Sequence, residues 1–338
     1  MILVTGGTGL VGSHLLFDLV RSRKNIRAIY RKNSNLNAVK KVFSYYVSSS
    51  EAKKLFSKIE WFEADIQDVP ALNRAFTNVK YVYHCAALVS FDPKDAKALR
   101  RTNIAGTANI VNLCIANAVE KLCHVSSTAS VGKPLEGINI TEETTWNPEE
   151  DHSDYAISKY GAEIEVWRGT QEGVDAVIVN PGIIIGPGFW NSGSGLLFQK
   201  VSKGFKFHFP KITGFVDVKD VVTAMVALMN SEIKNEQYIL VSENLSFKTV
   251  LNLTAKSLNR KPPSKELKKW MVFTGWIFQS AGSLFGLKKQ LTRGSVKTLF
   301  DEWHFSNEKM KNDLDFQFTP IAESISETGK IYRSEIQP

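Results

Sequence analysis

The chain has 338 residues, with a hydrophobic fraction of 43% and a charged fraction of 22%. These are ordinary values for a protein that buries one large core or two smaller ones. Three cysteines (Cys85, Cys114, Cys123) and six scattered histidines show no metal-ligand spacing; this speaks against a disulfide framework or a metal site and for a reducing, cytoplasmic setting. The net charge of +8 is concentrated, because Lys256 to Arg293 holds nine basic residues against the single acid Glu266, and no nucleic-acid motif accompanies that excess. The start of the chain lacks the basic leader of a signal peptide. No apolar run reaches the roughly 18–20 residues of a spanning helix.

The opening "MILVTGGTGLVGSHLLFDLV" predicts a strand, a glycine turn and an amphipathic helix. Gly6, Gly9 and Gly12 form G-x-x-G-x-x-G, with Thr8 inside the turn and Leu10 and Val11 opening the helix. Such a turn lets backbone approach a pyrophosphate, while the helix start offers free N–H groups and a positive dipole end. No lysine follows the glycines, which excludes a phosphate loop of the GK[ST] type. The second strand, "NIRAIYRKNSN", ends on Arg31 and Lys32, and no acid occurs between Asp18 and Glu51. An acid here would bind the ribose 2′-hydroxyl of NAD, whereas cations suit the 2′-phosphate of NADP. The expected cofactor is therefore NADP, with NAD as the alternative.

"IEWFEADI" predicts a third strand ending at Asp65, and "VKYVYHCAA" a fourth followed by the small residues Ala86 and Ala87. "IAGTANIVNLCIANAV" has helical spacing, "KLCHVSS" predicts a fifth strand and "VDAVIVNPG" a sixth. Strands alternating with helices imply a doubly wound parallel sheet, whose ligand lies at the carboxyl ends of the strands. Between strands five and six, "DYAISKYGAE" places Tyr155 and Lys159 four apart on one helix face. His84 and His124 are expected as structural residues at strand ends, and Asp217 and Asp220 as strand-end or helix-cap acids. The acidic loop 134–150 is expected to rim the site.

These motifs resemble those of the extended short-chain dehydrogenase/reductase family. The resemblance rests on "TGGTGLVG", "ADIQD", "HCAA", "HVSSTASVG", "YAISK", "NPGIIIGPG" and "GFVDVKDVV", in that order, and covers roughly residues 1–245. Within the family the chain looks most like the dihydroflavonol reductase and 3β-hydroxysteroid dehydrogenase branch. The resemblance implies an α/β, Rossmann-type doubly wound parallel sheet with a smaller C-terminal substrate lobe. The Rossmann domain would take residues 1–181 plus about 214–245, and the lobe about 182–213 plus 246–338. It implies a catalytic set of Ser127, Tyr155 and Lys159, with Ser126 and Thr128 open as alternative hydroxyl donors. Asp65 would bind the adenine amine beside Ile66, Pro181 would lie by the nicotinamide, and Asn103 would sit beside the active site. Relatives are monomers or homodimers, the latter through helices like 104–118 and 155–168.

A nearby ammonium stabilises a phenolate and so tunes a phenol for proton transfer. The expected activity is reduction of a carbonyl, or oxidation of a secondary alcohol, of a bulky apolar small molecule. A nucleotide-sugar epimerase or dehydratase with tightly held NAD is the alternative, although no arginine occurs between Arg168 and Arg260 to grip a diphosphate. A cofactor-sensing scaffold is a third reading, and it has no need of the Ser/Tyr/Lys set. The stretch "WMVFTGWIFQSAGSLFG" (270–286), inside the basic segment 264–293, suits either a lobe helix over the pocket or peripheral contact with anionic lipid.

Overall fold

The computed structural model describes residues 1–22, 25–133, 139–271 and 300–336. Most of the stretch read as a lobe or lipid-facing helix, along with Arg293 and residues 134–138 at the start of the acidic loop, lies outside the described residues. Among the described residues, no helix is long and apolar enough to cross a membrane.

Seven strands form one parallel sheet: β1 (Ile2–Thr5), β2 (Ile26–Tyr30), β3 (Glu60–Glu63), β4 (Tyr81–His84), β5 (Lys121–Val125), β6 (Asp175–Pro181) and, from later in the chain, Glu236–Leu240. Their spatial order, with that last strand written as β10, is β10-β6-β5-β4-β1-β2-β3. The expected doubly wound sheet is present. Its central strands are continuous apolar runs because helices cover both faces. One face buries Val4, Tyr83, Cys123, Val177 and Val179 against Leu15, Leu19, Val221 and Met225; the other buries Leu3, Val82, Leu122 and Ile178 against Ile110, Cys114 and Val166.

The helices follow the strand alternation: α1 (Leu10–Arg21), α2 (Leu36–Phe43), α3 (Ser49–Phe56), α4 (Val69–Ala75), α5 (Ala96–Leu99), α6 (Gly106–Ala116) and α7 (Asp154–Gln171). A π-helical turn at Arg100–Ala105 joins α5 to α6. Helix α7 has an N-cap in Ser153, whose side chain accepts from Ala156 N. It buries polar residues, namely Ser158, Lys159 and Glu163. Such burial needs partners, and these partners form the site described below.

After β6 the chain leaves the sheet. Strands β7 (Ile183–Ile185) and β9 (Ile212–Asp217) pair in parallel, and β11 (Glu243–Ser246) adds antiparallel to β9. The short strands β8 (Phe207–His208) and β12 (Lys265–Glu266) pair separately. Helix α9 (Val218–Asn230) returns to cover the parallel sheet, while α8 (Gly195–Ser202) and α10 (Phe247–Ser257) complete this half, with a C-terminal helix at Ile321–Ile336. A separate lobe core gathers Trp190, Phe198, Phe215, Val250, Leu251, Ile321, Ile325 and Tyr332. The segment 308–318 falls in the lobe by sequence. By packing it joins the sheet, since Met310 lies in the sheet's core with Leu314, Phe316 and Phe318 against it.

Asp217 caps α9 by accepting from Lys219 N at 2.6 Å, and Ser324 of the C-terminal helix donates to its other oxygen. Asp220 accepts from Thr319 N at 2.7 Å and Thr319 Oγ1 at 2.8 Å. Both acids therefore tie the last segment of the chain to α9.

Candidate active site

The carboxyl ends of β1, β4, β5 and β6 meet beside the glycine turn. Gly6 has φ +66°, and a Cβ there would lie 2.5 Å from Ala86 N, so the turn after β1 packs on backbone just beyond β4. Gly12 is required by its neighbours as well, because its Cβ would come within 2.2 Å of the Gly6 carbonyl oxygen. Gly9 is different. It is exposed, and the nearest protein atom to its missing Cβ, again the Gly6 oxygen, is 3.4 Å away. Its side chain would project into space the protein leaves free. Gly9 is also the N-cap of α1, where no side chain caps the helix and no acid sits in the first turn. Uncapped N–H groups behind an open cradle fit a dinucleotide's pyrophosphate.

The other cofactor candidates surround this turn. Leu10 and Val11 open α1, and the Thr8 hydroxyl reaches Ser34 Oγ at 3.5 Å. Arg31 and Lys32 are both exposed just beyond β2, and neither has an ion-pair partner among the described residues. Asp65 is half-buried beyond β3, its Oδ1 accepting from Gln67 N at 2.9 Å. Buried Ile66 packs where Gly106 leaves room, since a Cβ at Gly106 would lie 2.5 Å from Ile66 Cδ1. Ala86 donates its N–H to Thr5 Oγ1 at 3.2 Å, Ala87 is exposed, and Pro181 is buried at the end of β6. Asn103 lies on the π-helical turn, 1% exposed. Its Oδ1 accepts from Leu88 N at 2.7 Å, and its Nδ2 donates to Leu88 O and to Ser158 Oγ, both at 2.9 Å. Its amide hydrogens are thereby engaged within the protein, bracing the loop after β4 against α7.

Ser127 follows β5, where it caps a 3-10 turn (Thr128–Ser130) by accepting from Ala129 N at 3.2 Å. The Ser127 side chain faces the half-buried Tyr155 phenol closely enough to influence its titration. Burial raises the Tyr155 pKa, and the Ser127 contact opposes that rise. Lys159, one turn further along α7, donates from Nζ to Val125 O at 2.8 Å and is 2% exposed. Burial pulls its pKa down to about 8, against the opposing charge of Glu163. Of the alternative hydroxyls, Ser126 approaches Ser130 Oγ at 3.1 Å, and Thr128 is buried.

His84 bridges Thr5 Oγ1 (2.7 Å) and Thr107 Oγ1 (2.9 Å), with the His124 ring 5.2 Å away. Burial holds both rings neutral, pulling His84 down to about 3 and His124 well below its usual value. The Cys85 thiol is pushed up to about 12 by burial, which leaves it protonated and unreactive. Among the described residues no three His, Cys, Asp or Glu side chains are placed to hold a metal. In the described part of the acidic loop, Trp146 stacks on His152 (3.7 Å) and on Tyr160 of α7 (4.4 Å).

Four residues of this site were not read from the sequence. Glu163, Ser130 and Asn180 form a buried polar cluster under Lys159. Phe91 lies on the loop after β4, 68% exposed, with its ring 5.4 Å from that of Tyr155. One signal for Glu163 was available, namely its place four residues beyond Lys159 on the same helix face.

Comparison with known proteins shows the family. The model of the NAD dependent epimerase/dehydratase family matches residues 2–240. A Synechocystis sp. protein provisionally named a dihydroflavonol 4-reductase is 26% identical over 333 residues, covering 96% of this chain and 92% of its own. A UDP-glucose 4-epimerase of Vibrio cholerae is 26% identical over 298 residues, covering 84% and 82%. The crystal structure of gox2253 superposes with a TM-score of 0.83 at 25% identity, covering 100% of this chain and 99% of that one. The chain belongs to the NAD dependent epimerase/dehydratase family and is an NAD(P)-dependent oxidoreductase of the extended short-chain dehydrogenase/reductase type.

Proposed function

We propose that the protein reduces a carbonyl, or oxidises the matching secondary alcohol, of a bulky apolar small molecule with NADP(H), using Ser127, Tyr155 and Lys159. The observation that carries this reading is the meeting of Ser127, at the end of β5, with Tyr155 and a buried Lys159 one turn apart on α7. Bound cofactor supplies the hydride. The Ser127 hydroxyl donates to the substrate oxygen and steadies its developing charge. Tyr155 Oη gives its proton to the same oxygen. The Lys159 ammonium lowers the cost of the phenolate left behind. Alcohol oxidation runs these steps in reverse.

Absence of an acid after β2, and the exposed Arg31 and Lys32 there, support NADP(H). KM should be at least about tenfold lower for NADPH than for NADH, and Arg31→Ala should erase about tenfold of that preference, the scale of one charged hydrogen bond. Equal KM values in the wild type would remove the NADP assignment.

Phe91 and Val89, the latter 60% exposed, support an apolar substrate. Their loop is fixed by Asn103 at Leu88 and by Ser90 Oγ donating to Asp95 at 2.6 Å, and it presents the Phe91 ring beside the phenol. With an aryl ketone probe, Phe91→Ala should raise KM about tenfold and leave kcat nearly unchanged, since it removes contact made equally before and during reaction. An unchanged KM would rule out this wall.

Nucleotide-sugar epimerisation is the second reading, favoured by the similarity to the Vibrio cholerae epimerase. The lack of arginine from 169 to 259 weighs against it. Purification with tightly held NAD and turnover of UDP-glucose would establish it; exchangeable NADPH and ketone turnover support the first.

A further inference from the structure

Glu163 is 4% exposed, and no step above uses it. Its Oε1 accepts from Ser130 Oγ at 2.5 Å and from Asn180 Nδ2 at 2.6 Å, and Ser126 Oγ lies beside them, 3.1 Å from Ser130 Oγ. These three residues come from the end of β5, the turn after it and β6. Two of them also reach the Ser127 carbonyl, Ser130 Oγ at 2.6 Å and Asn180 Nδ2 at 3.2 Å. A hydroxyl has one hydrogen, so Ser130 divides its bond between the carboxylate and that carbonyl. Any shift of Glu163 therefore reaches the Ser127 backbone through shared donors.

We propose that Glu163 is a positioning residue for the proton-transfer set, holding Lys159 as a cation and fixing Ser127 through Ser130 and Asn180. This inference rests on the reading of Ser127, Tyr155 and Lys159 given above. A buried ammonium is costly without a counter-charge, and the groups facing Lys159 offer few. His84 and His124 are neutral, the Cys85 thiol keeps its proton, and Tyr155 is a neutral phenol in the resting protein. Glu163 is buried one helical turn beyond Lys159 on the same face of α7, where its charge opposes the effect of burial on the ammonium. Burial raises the pKa of Glu163 itself, and Ser126, Ser130, Asn180 and Lys159 all oppose that rise.

The test uses Glu163→Gln, which keeps shape and hydrogen bonding but removes the charge. In cofactor-free protein labelled at lysine, the NMR titration of Lys159, assigned by its loss in Lys159→Met, should move its midpoint down by about one pH unit. The alkaline limb of kcat for an aryl ketone probe should move down equally. An unmoved midpoint in a folded Glu163→Gln protein overturns the electrostatic role. Ser130→Ala is the second arm: it keeps the charge at 163 and should lower kcat about tenfold by loosening Ser127, with the Lys159 midpoint unmoved. Undiminished kcat there overturns the positioning of Ser127. Should Tyr155→Phe stay active while the Lys159 midpoint still shifts in Glu163→Gln, the functional reading fails and the charge pairing stands.

Discussion

Tyr155→Phe is expected to lower kcat about a thousandfold, the usual contribution of a positioned general acid, with KM and fold little changed. Tyr155 is only half-buried, so removing its hydroxyl leaves helix α7 and the core packing beneath it intact. The pH dependence carries a second signature. In the reduction direction Lys159 must be protonated to stabilise the departing phenolate, and its pKa is lowered to about 8. Activity should therefore hold below that value and fall as pH rises through it, because deprotonation removes the stabilising charge. The residual rate of Tyr155→Phe should lose this limb, since no phenolate forms. Steady-state NADPH oxidation across pH 6–10 with one ketone checks both points. An undiminished rate in the Phe variant would mean that another group donates the proton.

Gly12→Ala should abolish cofactor binding, with a loss of at least about a hundredfold in affinity, and cost about 2–3 kcal/mol of stability by overpacking. The added methyl would sit 2.2 Å from the Gly6 carbonyl oxygen and 2.8 Å from Gly7 Cα. Both are backbone atoms that cannot swing aside, so the turn itself has to open. Gly9→Ala is the informative partner variant. Its methyl meets only the Gly6 oxygen, at an ordinary 3.4 Å, so the Tm of the cofactor-free protein should stay put. Cofactor affinity should still fall about tenfold or more, because the methyl occupies the cradle. Thermal denaturation with calorimetric titration of NADPH separates the two effects. Equal losses of Tm in both variants would show that Gly9 is there for packing instead.

Sequence reading recovered the frame because its signals are local. A strand, a glycine turn and a helix follow one another without a break at residues 2–21, and apolar runs bounded by polar turns mark β4, β5 and β6. Tyr155 and Lys159 were legible because a helix repeat brings them to one face. Glu163 shares that face, yet beside Glu165 and Arg168 it passes for a solvated charge. What buries it are Ser126, Ser130 and Asn180, brought alongside by the β5–β6 pairing rather than by helix periodicity. Asn103 posed the same difficulty, since its bonds to Leu88 and Ser158 join residues 15 and 55 positions away. An exposed phenylalanine such as Phe91 has no sequence signature at all, because loop periodicity says nothing about which neighbour its ring lies against. The packing of Met310 onto the sheet was hidden for a similar reason, as lobe and sheet segments alternate along the chain.

That alternation bears on how the polypeptide emerges from the ribosome. Six strands of the parallel sheet are made first, but β10, which closes the edge beside Asp175–Pro181, arrives only after residues 182–235 have been synthesised. Until then the apolar run of β6 is an open edge, able to recruit the same strand from a neighbouring nascent chain. Polypeptides interrupted anywhere in that interval should be prone to clumping, and cellular yield should depend on chaperones that shield this edge during the delay.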